Sequence, residues 1–212
     1  MSRVFVALSL FAACVVPAFA EDAKPAKEAS KEPAKVAKFA VGDQAPVFKI
    51  KDASGKIIDL AELTAKGPVL VRLTCGCSGC DKELSYFKEI NAAYKDQGLT
   101  SLLIFKEPDE KMAKYAVDKK LSSMLYAVDS KGESWKTFQT TTMPTNFLIA
   151  KGGKISNIAA GCDPSGLLAN KVAEKAAKVI GAEVVNVQKN VDTKAAEKKA
   201  EDKKVEAKTE KK

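Results

Sequence analysis

The sequence predicts an α/β domain in which helices flank a central mixed sheet, with a β-hairpin extension at its N-terminal side. Three observations point to it. Apolar runs of strand length recur at 69–73, 99–105 and 124–128, and stretches of helical periodicity separate them. The last third then switches to two strands joined by the tight turn Lys151-Gly152-Gly153-Lys154. Strands alternating with helices imply right-handed crossovers and parallel pairing, whereas the final hairpin is antiparallel. The sheet is therefore mixed.

Both ends of the 212-residue chain differ from its middle. Residues 1–20 carry Arg3, an apolar run and Ala18-Phe19-Ala20 ahead of Glu21-Asp22, the three-part plan of a secretory signal peptide with a small-x-small cleavage site. Cleavage after Ala20 is expected, placing the protein outside the cytoplasm, in a periplasm. The run is too short for a membrane span. A competing reading takes Phe11-Ala12-Ala13-Cys14 as a lipoprotein site with Cys14 as lipid anchor, a position that Phe11 suits badly. Residues 21–38 are Lys, Glu, Ala and Pro with little to bury, a charged linker. The folded domain is expected at 39–182, and 183–212 reads as a disordered Lys/Glu/Ala-rich tail that buries nothing.

Within the domain, 49–51 and 56–60 flank Asp52-Ala53-Ser54-Gly55 and read as the hairpin. A helical turn over 60–66 closes at Gly67-Pro68 before the strand at 69–73. Leu84, Phe87, Ile90, Ala93 and Tyr94 keep the spacing of one helical face, and Gly98 stops it. After the strand at 99–105, Pro108 opens a helix running to about 120. A strand at 124–128 and a short helix at 134–139 follow, with Trp135 and Phe138 read as a buried face in preference to a partner patch. Strands at 145–150 and 155–160 form the last hairpin. Asp163-Pro164 and Gly181 bound a closing helix over 167–180.

The domain holds 20 basic and 16 acidic residues, a mild excess, and Arg3 and Arg72 are the only arginines in the chain. Phosphate and base recognition favour the arginine fork, so no nucleic-acid partner is expected. Histidine is absent, which excludes Cys-His and Ser-His nucleophile pairs and every histidine-containing metal site. The chemistry falls to thiols and carboxylates. Cys75, Cys77 and Cys80 stand where an apolar strand meets a helix, and the unpaired amides and positive dipole of a helix N-terminus stabilise a thiolate. Cys77-Ser78-Gly79-Cys80 is thus a candidate redox dithiol, Cys77 attacking and Cys80 resolving one turn on. Antiparallel pairing returns the end of the last hairpin, Ala160-Gly161-Cys162, to the side of Pro144. Cys75 and Cys162 then make a possible second disulfide, structural or an electron relay, or else two separate buried thiols.

Three stretches carry a family resemblance: 41–48 (Val-Gly-Asp-Gln-Ala-Pro-Val-Phe), Cys77-Ser78-Gly79-Cys80 with Glu83 three residues on, and Thr142-Met143-Pro144-Thr145 before Asn146-Phe147-Leu148-Ile149. Over 41 to about 180 the chain resembles the TlpA/ResA-like thiol-disulfide oxidoreductases of the thioredoxin/redoxin (AhpC/TSA) superfamily. The resemblance implies a thioredoxin-like fold, an enzyme that exchanges disulfides with partner proteins, an upstream redox partner, and no cofactor. It implies a cis Pro144 packed against the two cysteines, Met143 giving backbone contacts to substrate, and Glu83 moving protons near the thiols. The sequence departs from the family at Gly76, which stands where tryptophan is usual, at Ser78-Gly79, at Ser85 and in the extra Cys75.

Two other readings stay open. Thr74-Cys75-Gly76-Cys77 has the Thr-x-x-Cys spacing of peroxiredoxins, with Arg72 as the mature chain's one arginine, so a peroxide reductase with antioxidant activity is an alternative. A non-enzymatic alternative has Cys75, Cys77, Cys80 and Cys162 hold a thiophilic metal. Cys75 and Cys77 are expected to point oppositely on an extended stretch, which fits a tetrahedron badly. No metal is therefore assigned.

Overall fold

The structure, a computed structural model, describes residues 38–209. The expected signal peptide, Cys14 and all of the expected linker but Lys38 lie outside the described residues. A two-stranded antiparallel hairpin comes first, β1 (Lys49–Lys51) and β2 (Ile57–Asp59). Asp52 shapes its turn by accepting from the Ser54 and Lys56 amides. Asp59 then caps α1 (Leu60–Lys66) by accepting from the Ala61 N–H, satisfying one of the donors a helix start leaves free. At Gly67 the chain passes so close to its neighbour that a Cβ would sit 2.5 Å from the Gly98 carbonyl oxygen. Only glycine admits that approach.

The remaining elements are β3 (Val69–Thr74), α2 (Ser78–Tyr94), β4 (Thr100–Phe105), α3 (Asp109–Asp118), β5 (Leu125–Val128), α4 (Glu133–Thr137), β6 (Thr145–Ile149), β7 (Ile155–Ala160), α5 (Leu167–Ile180) and α6 (Val187–Thr209). The main sheet runs β5-β4-β3-β6-β7. β3 pairs parallel with β4 and antiparallel with β6, and β4 pairs parallel with β5. The expected mixed sheet, flanking helices and N-terminal hairpin are all present.

β3 is buried along its whole length, as a central strand covered on both faces requires. Because side chains alternate, Val69, Val71 and Leu73 pack with Phe48, Leu60, Trp135, Phe138 and Phe147. Leu70 faces the other way, with Phe87, Ile90 and Tyr94 of α2 and Ala169, Val172 and Ala173 of α5. Each large apolar side chain removed from water on these faces stabilises the fold by about 1.5–3 kcal/mol. Trp135 and Phe138 are core residues, matching the buried-face reading.

The tail differs from its expected form. Where nothing was expected to be buried, α6 starts on Val187, which is fully buried, and Val191 packs against the same cluster as α2 and α5. The Val187 amide donates to Asn170 Oδ1, and the Tyr94 hydroxyl donates to the Glu183 carbonyl. Composition averaged over the charged tail hides these two valines and the anchors ahead of them. Among the described residues no helix is long and apolar enough to cross a membrane.

Candidate active site

The site forms where β3 ends. Cys75 follows the strand, the chain bends at Gly76 and Cys77, and α2 begins at Ser78 with Cys77 as its N-cap residue. The bend is braced from the β4–α3 side. The Gly76 amide donates to Glu107 Oε1 at 3.3 Å, and the Tyr115 ring lies 3.8 Å from where a Gly76 Cβ would stand. Glycine here yields its space to an aromatic ring supplied by α3. The Tyr115 hydroxyl donates to Asp81 Oδ1 at 2.9 Å and Lys119 pairs with Asp81 Oδ2 at 2.7 Å, tying the first turn of α2 to α3.

The cysteines differ sharply in setting. Cys77 is exposed, Cys75 half-buried and Cys80 buried at 4 % exposure, and all are free thiols. Their three sulfurs lie within 4.8 Å of one another, and Cys75 Sγ contacts Cys80 Sγ at 3.4 Å. The Cys80 amide and then the Cys75 thiol favour the Cys77 thiolate, lowering its pKa to about 7. Burial pushes Cys75 the other way, to about 12. One thiol of the site is ready to ionise near neutrality and its neighbour is not.

Cys162 is exposed and sits beside the motif, its Sγ 3.3 Å from where a Cβ on Gly79 would be. Burial, then the negative charge of Glu83, raises its pKa. It is not a member of the three-sulfur cluster, and Cys75, its partner in the possible second disulfide, has its sulfur against Cys80. The antiparallel return is as expected: Thr145 pairs with Ala160, and the Gly161 amide donates to the Pro144 carbonyl at 2.9 Å. The Met143–Pro144 peptide is cis. Met143 lines a surface pocket of about 570 Å³ with Trp135, Gln139, Lys106, Lys131 and Lys136.

Beneath the thiols lies a charged group that the sequence pattern does not assemble. Glu83, 0 % exposed, comes from the inner face of α2, where Cys80, Glu83, Leu84 and Phe87 are spaced to share one side. Arg72, 2 % exposed, comes from the even-numbered face of β3. They pair at 2.6 Å, and Arg72 Nη1 donates to Asn146 Oδ1 at 2.9 Å, its register partner on β6. The guanidinium also stacks 4.1 Å over the Phe87 ring, while the second Glu83 oxygen accepts from the Asp163 amide at 3.3 Å. The signal was present as a lone arginine within an apolar strand and an acid on an apolar helix face. Each demands a buried partner.

Arg72 is thereby engaged inside the protein, and the Thr74 hydroxyl bonds the Cys75 carbonyl at 3.4 Å. Among the described residues, neither side chain hydrogen-bonds the Cys77 sulfur, the contact the peroxide reading calls for.

Comparison with known proteins bears on this geometry. Residues 41–158 match the AhpC/TSA family. The thiol-disulfide oxidoreductase ResA of Bacillus thuringiensis subsp. konkukian is 32% identical over 118 residues, covering 56% of this chain and 68% of that protein. The thioredoxin domain of a thiol-disulfide oxidoreductase from Bacteroides vulgatus is 26% identical with a TM-score of 0.54, covering 65% of this chain and 98% of that one. Peroxidoxin BcpB of Mycobacterium tuberculosis shares the fold at 20% identity and a TM-score of 0.53, over 66% of this chain and 94% of its own. On the family match, the ResA likeness and a mixed five-stranded sheet, the chain belongs to the AhpC/TSA family, as a ResA-like redoxin of thioredoxin fold.

Proposed function

We propose that this oxidoreductase exchanges disulfides with protein substrates through Cys77 and Cys80, outside the cytoplasm. One observation carries the reading: an exposed thiol at the head of α2 stands within 4.8 Å of a buried thiol one turn further on. The Cys77 thiolate attacks a substrate disulfide, breaking its S–S bond, forming a mixed disulfide and releasing one substrate thiolate. Cys80, as thiolate, then attacks Cys77, releasing the second substrate thiolate and leaving a Cys77–Cys80 disulfide. Two electrons pass to the substrate. The reverse steps oxidise a substrate dithiol, and an upstream redox partner resets the pair.

Glu83 is the proton-handling group in this reading. Its carboxylate is held by Arg72 and the Asp163 amide below the first turn of α2, close enough to oppose ionisation of Cys162. Met143 and cis Pro144, in the bend before β6, present the backbone that a substrate segment would meet. Composition of residues 1–20 supports export to the periplasm.

Insulin reduction by dithiothreitol tests the proposal. The protein is expected to accelerate it, and Cys77→Ser to abolish the acceleration. An unchanged rate in Cys77→Ser would refute the assignment.

A further inference from the structure

The three-sulfur cluster holds one thiol more than disulfide exchange uses. We propose that Cys75, Cys77 and Cys80 form a three-thiolate site for a soft monovalent cation, Cu(I).

The geometry supplies what such a site needs. Metal–thiolate bonds are about 2.3 Å long, so three sulfurs in a plane around one ion stand about 4 Å apart. The Cys75–Cys80 separation of 3.4 Å and the 4.8 Å limit on all three pairs bracket that value. The expectation that Cys75 and Cys77 point oppositely fails because the chain bends at Gly76 and Cys77 instead of continuing extended. That bend is held by Glu107 and Tyr115, so the sulfurs are brought together before any ion arrives.

Ligand type and number select the ion. Thiolates favour Cu(I), Zn(II) and iron–sulfur centres. Structural zinc takes four ligands, and iron–sulfur clusters ordinarily take four thiolates. Among the described residues the cluster closes with three, no carboxylate joins it, and the chain has no histidine. Three sulfurs and no imidazole suit a cation satisfied by trigonal sulfur. Exposed Cys77 gives the ion its way in, while Cys80 anchors the inner side. As each Cu–S bond forms the thiol gives its proton to solvent, copper stays Cu(I), and no electron changes hands.

This site stands independently of the exchange reading, which uses two of its three thiols. Anaerobic titration of the reduced full chain with Cu(I), against bicinchoninate as competing chelator, is expected to retain one copper per chain. X-ray absorption at the copper edge is expected to show three sulfur neighbours. Cys75→Ser is expected to weaken retention by about tenfold or more, and Cys162→Ser to change it by less than about twofold. Two sulfur neighbours, or a Cys75→Ser protein that binds as the unaltered one does, would overturn the site. A loss in Cys162→Ser equal to that in Cys75→Ser would overturn the three-sulfur set. The absorption measurement uses the unaltered chain, so it decides the sulfur number even where a variant fails to fold. Copper held in a protein inactive on insulin supports this site and counts only against exchange.

Discussion

Cys77 and Cys75 show how two residues apart in sequence acquire opposite chemistry. The Cys80 amide favours the thiolate of Cys77, whereas burial favours the neutral thiol of Cys75. Thiolate is the nucleophile, so its fraction sets the rate. Alkylation of the reduced protein by iodoacetamide, followed by peptide mass mapping, is expected to modify Cys77 first. Its rate should rise with pH through a midpoint of about 7, where Cys77 loses its proton, while Cys75 stays slow to about pH 12. At the same scale, Arg72 and Glu83 are both enclosed, and removing one member of a buried ion pair costs about 3–5 kcal/mol because the other charge is left unmatched. Arg72→Leu is expected to lose stability of that order in urea unfolding. The stabilised Cys77 thiolate was legible from its place at a helix start, whereas the burial of Cys75 and the Arg72–Glu83 pair were not. The Cys77–Cys80 spacing announced the dithiol, but the Cys75–Cys80 contact depends on the bend at Gly76, which is set by groups from β4–α3 some thirty residues away in sequence.

Elements were the more legible level, because each strand and helix leaves a period in the chain. Helix α2 shows its buried stripe directly, Gly181 marks where α5 stops, and Gly98 closes the short 3₁₀ turn, Lys95–Gln97, into which α2 runs after Tyr94. Less legible is how an element is aimed. Gly166, which precedes α5, has φ +85°, and a Cβ there would meet the Tyr86 ring of α2 at 2.6 Å. The Tyr86 hydroxyl reaches the Pro164 carbonyl at 3.4 Å from the same side. The loop bearing Cys162 is thereby seated on α2, next to the motif. Gly166→Ala is expected to cost about 1–3 kcal/mol through backbone strain and overpacking, read from thermal unfolding. The residue itself looks like ordinary loop chemistry in the sequence; its reason is a contact eighty positions away.

Across the whole molecule, the charged tail departs from its composition because its anchors are few. Val187 is fully buried, whereas the Lys194–Glu89 pair further along lies at the surface. Burying one valine contributes about 1.5–3 kcal/mol, and an exposed ion pair up to about 1 kcal/mol. Truncation after Asn186 is expected to lower stability by about 2 kcal/mol, and truncation after Thr193 by less than about 1 kcal/mol, measured by urea unfolding.

The N-terminal hairpin has a further consequence through a single bridge, Asp52 to Ala127 on β5. β5 is an outer strand of the main sheet, and an outer strand offers a row of unpaired amides and carbonyls to any passing chain. The hairpin corner lies across that row. A second molecule seeking to extend the sheet at Ala127 meets a turn already bridged to that strand, so the small appendage in front of the fold blunts this edge.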